Sequence, residues 1–91
     1  MFIVVSYDIP DDRRRTRLFN LLKGYGQHVQ YSVFECDLRP EKLAEMQARI
    51  QQLVESNKDH VRFYRLCAND VRRISQIGGM PPTSERPFYL F

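Results

Sequence analysis

The chain holds only two cysteines, Cys36 and Cys67, far apart and without a C-x-x-C partner. That excludes a disulfide framework and fits a reducing compartment. Together with His28 and His60 they could supply four zinc ligands, but the spacings match no zinc template, and both cysteines fall in apolar, strand-like runs. Buried apolar thiols are therefore expected. There is no Ser-His-Asp arrangement, no P-loop and no dinucleotide fingerprint, and His28 and His60 read as isolated surface residues. No apolar run is long enough to span a bilayer, and no basic region precedes the first one, so a cytoplasmic protein is expected. Internal repeats and low-complexity segments are also lacking.

What remains is 91 residues with a formal charge of +3. A chain of this size lies near the lower limit for a self-sufficient core, so burial against a partner chain would help it, and an oligomer is expected. Arg13, Arg14, Arg15 and Arg17 crowd into a turn and a half of one segment. Such density suits a polyanion such as nucleic acid, although Asp11 and Asp12 partly offset it and a solvated helix face would read the same way.

The first segment, Phe2 to Asp8, is a β-branched apolar run ending on a carboxylate. Phe2, Val4, Ser6 and Asp8 share one face and Ile3, Val5 and Tyr7 the other, as in a strand covered on both sides. A helix capped by Asp11 or Asp12 follows, with Leu18, Leu21, Leu22 and Tyr25 at helical spacing and Gly24 and Gly26 at its end. Its start adjoins the strand's end, which places the arginines around Asp8. Residues 27–38 are long enough for two short strands with a bend at Gln30 or Tyr31. Pro40 opens a second helix whose stripe is Leu43, Met46, Ile50, Leu53 and Val54, with Glu41, Lys42, Glu45 and Arg49 solvated. Val61 to Cys67 forms the last strand.

This order, β-α-β-β-α-β, is α+β and ferredoxin-like, with the first and last strands expected side by side at the middle of the sheet. Helices cover one sheet face only, so a second copy is expected on the other. The domain is expected to span 1–78, and 79–91 to be a spacer plus a C-terminal strand, Arg86 to Phe91. That strand either adds to the partner's sheet or folds back on its own subunit.

Asp8 admits two readings. As a plain strand end it would start the turn and accept backbone N–H groups. Against a second copy across a two-fold axis it would meet its own equivalent, and two carboxylates about 5 Å apart repel by about 3 kcal/mol at an effective dielectric of about 20. A shared proton or a cation between them would relieve this. A divalent ion there suits metal-assisted phosphodiester hydrolysis, with Arg15 and Arg17 holding flanking phosphates. Tyr7, Tyr31 and Phe34 could stack on bases or belong to the core.

Two segments decide what the chain resembles: Val4-Val5-Ser6-Tyr7-Asp8-Ile9-Pro10-Asp11-Asp12 followed by Arg15-Thr16-Arg17, and Gln30-Tyr31-Ser32-Val33-Phe34-Glu35. With the apolar tail they closely resemble the CRISPR-associated endoribonuclease family, the small dimeric partner of the spacer-acquisition integrase. The resemblance implies a ferredoxin-like homodimer with facing sheets, the C-terminal strand joining the partner's sheet, and Asp8 of each subunit at a divalent metal, Mg²⁺ or Mn²⁺. It implies Asp8 as catalytic residue and metal ligand. Tyr7, Arg15, Arg17 and Phe34 match positions tied to activity, and Gln30 and Ser32 shape the same cleft. Arg14, which the helix places beside them, joins the nucleic-acid-binding set. His28 departs from relatives in which a basic Arg precedes the Gln of the second motif by two positions. Two functions follow: a metal-dependent endonuclease on RNA or DNA in spacer acquisition, or a non-catalytic DNA-binding scaffold bridging integrase subunits.

Overall fold

The computed structural model describes residues 1–78. Its elements are β1 (Phe2–Asp8), α1 (Asp12–Lys23), β2 (Gln27–Gln30), β3 (Val33–Asp37), α2 (Pro40–Leu53), β4 (His60–Leu66) and α3 (Ala68–Arg72). The four strands form one antiparallel sheet in the order β2-β3-β1-β4. This is the α+β, ferredoxin-like arrangement. The expected tail strand and its spacer, 79–91, lie outside the described residues.

β1 and β4 are neighbours as expected, but they do not share the middle of the sheet. β3 already occupies one side of β1, so the chain leaving β3 crosses over β1 through α2 and lands on its free side. β1 and β3 therefore hold the interior and β4 an edge.

Alternation along the strands divides the sheet into two unlike faces. Ile3, Val5 and Tyr7 of β1 join Phe34 and Cys36 of β3 beneath Leu18 and Leu22 of α1 and Leu43, Met46 and Ile50 of α2, all buried in one cluster. Each such side chain contributes about 1.5–3 kcal/mol by leaving water. On the opposite face the register pairs Phe2 with Leu66, Val4 with Tyr64, Ser6 with Arg62 and Asp8 with His60. The core beneath α1 and α2 lies on the other side; on this face Phe2 is nonetheless buried, Val4, Ser6 and Leu66 are half-buried, and Tyr64 and Asp8 are exposed.

Helix α1 starts where the Asp11 carboxylate accepts the Arg14 backbone N–H at 2.9 Å, satisfying one of the orphan donors of the first turn. It ends at Gly24, whose N–H returns to the Leu21 carbonyl. Gly26 matters for a different reason, since a Cβ there would lie 2.3 Å from the Glu35 carbonyl oxygen and 2.5 Å from the Cys36 Sγ. Only a residue without a side chain lets β2 approach β3 this closely. Pro40 occupies the first turn of α2, where its fixed φ favours the helix and its missing N–H costs nothing. Glu45 and Arg49 are not simply solvated, because the Tyr25 hydroxyl donates to Glu45 Oε2 at 2.6 Å and accepts from Arg49 Nη1 at 2.9 Å.

The expectation of two buried thiols holds for Cys36 and fails for Cys67. β4 stops at Leu66, and the chain turns into the short helix α3, which periodicity over five residues could not announce. Cys67 stands exposed at its start, where the Asp70 carboxylate accepts from the Cys67 N–H at 3.3 Å and its Sγ at 3.0 Å. Cys36 is sealed in the core, and burial pushes its thiol up to about 12.

Candidate nucleic-acid interface

Asp8 ends β1 with its side chain on the face opposite α1 and α2, exposed, and with no hydrogen bond or ion pair to any described residue. The capping role open to it is filled by Asp11 instead. Across the ladder stands His60, and one pair further along Ser6 faces Arg62. Periodicity assigns His60 no partner. Only the antiparallel register of β1 and β4 brings it beside Asp8, and the signal in the sequence was the alternation of His60, Arg62, Tyr64 and Leu66 on one face.

The neighbouring Tyr7 points the other way. It is buried, and its backbone N–H donates to the Ser32 carbonyl at 3.0 Å, which ties the end of β1 to the β2–β3 turn. Its hydroxyl also pairs with the Ser32 side chain. Burial raises the Tyr7 pKa, opposed by the Arg15 charge and by that hydrogen bond. The two sequence motifs thus meet through Tyr7 and Ser32. Gln30 closes β2 on the exposed side, paired with Val33.

The arginines split into different roles. Arg14 is committed to the fold: Nε and Nη2 donate to the two oxygens of Asp59 at 2.8 and 3.0 Å, and Nη1 lies 3.3 Å from Glu55. Asp59 is buried, also accepts the Glu55 N–H at 2.9 Å, and is held below the usual carboxylate range, first by the Arg14 hydrogen bond. A bidentate pair of this kind leaves Arg14 little to offer a phosphate. Arg15 bends back so that Nη1 donates to the Ile9 carbonyl at 2.9 Å, and it pairs with Asp12. It remains partly exposed. Arg17 is exposed, and its guanidinium has no hydrogen bond or ion pair among the described residues.

Phe34 is fully buried, its ring 5.4 Å from Phe19, 5.1 Å from His28 and 6.4 Å from Tyr7. It has no face with which to meet a base, so its place in the second motif is to pack beneath the site. His28, edge-on to Phe19, reaches the Tyr31 carbonyl through Nε2.

No group of three or more His, Cys, Asp or Glu side chains able to hold a metal occurs among the described residues. What the end of β1 offers is one unengaged carboxylate, Asp8. That donor suits a hard cation that keeps most of its waters, since Mg²⁺ is commonly held by one or two carboxylates. No helix of the described residues is long and apolar enough to cross a membrane.

Comparison with known proteins gives a consistent picture. The family described as CRISPR associated protein Cas2 matches residues 1–74. The chain is 48% identical over 88 residues to the CRISPR-associated endoribonuclease Cas2 3 of Synechocystis sp., covering 96% of this chain and 95% of that one. Among solved structures, Streptococcus pyogenes Cas2 at pH 6.5 superposes with a TM-score of 0.76 at 34% identity, covering 86% of this chain and all of that one. A chain of a partial Cas6-RT-Cas1–Cas2 complex superposes with a TM-score of 0.73 at 30% identity, covering 88% of this chain and 93% of that one.

Proposed function

We propose that this chain, which belongs to the CRISPR-associated protein Cas2 family, is an endonuclease of CRISPR adaptation that hydrolyses phosphodiester bonds in RNA or DNA through Asp8. The observation that carries this reading is the unengaged, exposed Asp8 carboxylate beside His60 and Ser6, in a chain whose other strand-end and cap carboxylates are spoken for. A buried or bonded Asp would read as structure. This one has no structural partner.

The working unit is a homodimer. Val4, Tyr64 and Leu66 remain partly exposed on the sheet face opposite α1 and α2, and a second copy there covers them in both chains at once. Asp8 of each subunit would then hold Mg²⁺ or Mn²⁺, which supplies polarisation of the phosphate and a more acidic bound water. Arg17 and the exposed part of Arg15 hold the phosphates on either side of the scissile bond, while Arg14 fixes the helix that carries them. Tyr7 and Ser32 set the wall of the cleft, and Gln30 its rim.

A second reading is favoured by the free Arg17 guanidinium and by the likeness to a chain of a Cas1–Cas2 complex: the dimer bridges integrase subunits and grips DNA by its backbone without cutting it. One variant separates the two. Asp8→Asn preserves shape and removes the charge. On the enzymatic reading it abolishes metal-dependent cleavage of a labelled RNA or DNA by the purified dimer, with sedimentation unchanged. Cleavage that survives the substitution at the native rate places the chemistry elsewhere or in a contaminant, and spacer integration that survives it while cleavage is lost assigns the cellular role to the scaffold.

A further inference from the structure

Between the start of α1 and the β2–β3 turn lies a cavity of about 340 Å³ lined by Tyr7, Arg15, Thr16, Phe19, Tyr31 and Ser32. We propose that it receives one unstacked base of a single-stranded nucleic acid, with the Tyr31 ring against the base and Arg15 on the adjoining phosphate. The inference rests on the endonuclease reading and adds to it a seat for one base outside the Asp8 end of the strand.

Tyr31 is the first reason. The residue is 88% exposed, so the fold gains almost nothing from the ring. Its φ of 24° lies in the left-handed region, where an Asn or Gly would sit at lower cost. The turn is nevertheless held in place, by His28 Nε2 on the Tyr31 carbonyl and by the Tyr7 N–H on the Ser32 carbonyl. An aromatic ring kept exposed on a braced, strained turn suits stacking, and strained backbone concentrates at sites of function.

The composition of the walls is the second. The volume falls within the range of small-ligand pockets. Phe19 offers an apolar surface, Thr16 and the Tyr7–Ser32 pair offer hydroxyls for base edges, and Arg15 brings positive charge to the mouth. A duplex keeps its bases stacked inside and can present only phosphates here. Position is the third. Tyr7 and Asp8 are consecutive on β1 and point to opposite faces of the sheet, so a strand with one base seated on the Tyr7 side passes the strand's end directly into the neighbourhood of Asp8.

The test uses the full chain and a short oligonucleotide of mixed sequence carrying one central 2-aminopurine, prepared as RNA and as DNA, each single-stranded or annealed to its complement. Seating the fluorescent base against Tyr31 should quench it in the single strand and not in the duplex. Tyr31→Ala should remove the quench and weaken single-strand binding by about 5- to 100-fold, with duplex affinity changed by less than about 2-fold. Thr16→Leu, an exposed helix position where added bulk enters the cavity, should act in the same direction. Replacing the probe base by an abasic site should weaken binding to the native protein but not to Tyr31→Ala. Equal loss for single strand and duplex, or no quench with either single strand, overturns the proposal. Asp8→Asn assayed in parallel reports on the reaction: a quench without cleavage keeps the cavity, whereas cleavage and affinity untouched by Tyr31→Ala removes the cavity and leaves the reaction standing.

Discussion

Replacing Phe34 by Leu separates a residue that touches nucleic acid from one that holds up those that do. The ring is fully buried and lies within 5.1–6.4 Å of the rings of His28, Phe19 and Tyr7. Leucine keeps an apolar side chain in place but forfeits these aromatic contacts and leaves a partly filled space. Aromatic pairs contribute about 0.5–1.5 kcal/mol each beyond their burial, and truncations of buried large side chains span about 1–5 kcal/mol. A loss of about 1–3 kcal/mol follows, which for a domain of this size lowers the melting temperature by roughly 5–20 °C. Calorimetry gives that shift, and nucleic-acid affinity measured well below the variant's midpoint should fall only modestly, since Tyr31, Arg15 and Arg17 remain. An unchanged melting temperature combined with a collapse of binding would show that the ring contacts the ligand and that the packing assignment is wrong.

Two further outcomes can be measured on the free protein. The Asp59 carboxylate is held below its ordinary pKa, chiefly by the Arg14 hydrogen bond, so its stabilisation is complete above the unfolded value and is lost as pH falls through the folded one. Asp59→Asn should lower the urea midpoint at neutral pH, and the gap from the native protein should narrow steadily below about pH 4; parallel profiles at all pH values would deny the pair that role. The thiols should also differ: a brief alkylation of the native protein modifies Cys67 and spares Cys36, whereas denatured protein takes the label at both, as mass spectrometry reads directly. Native labelling of Cys36 would mean that the core around β3 opens readily.

Local patterns carried much of the fold. The alternation in Phe2 to Asp8, the Asp11 cap, the stripe Leu43, Met46, Ile50 and the start of α2 at Pro40 each act within a few residues, and each emerges as read. The bend at Tyr31 was legible for the same reason. What escaped depended on distant pairing. Arg14 and Arg15 look alike on a helix, yet Asp59, 45 residues further on, takes one of them. His60 gains a neighbour in Asp8 only through the β1–β4 register. Phe34 stands in the second motif, and nothing in that motif tells a ring that contacts a ligand from one that supports it. The edge position of β4 likewise follows from how β3 and α2 share the space around β1.

Consecutive side chains at the end of β1 serve opposite sides of the sheet, Tyr7 the helix side and Asp8 the open side. One residue inserted or deleted between Phe2 and Tyr7 would exchange them, turning the carboxylate into the apolar core and the tyrosine out onto the opposite face. The ladder from Phe2↔Leu66 to Asp8↔His60 therefore sets which side chain reaches the surface as well as which one joins the core. A misregistered β1 would lose its core and its acid in the same event, so a folded molecule of this topology is also one whose Asp8 is correctly presented.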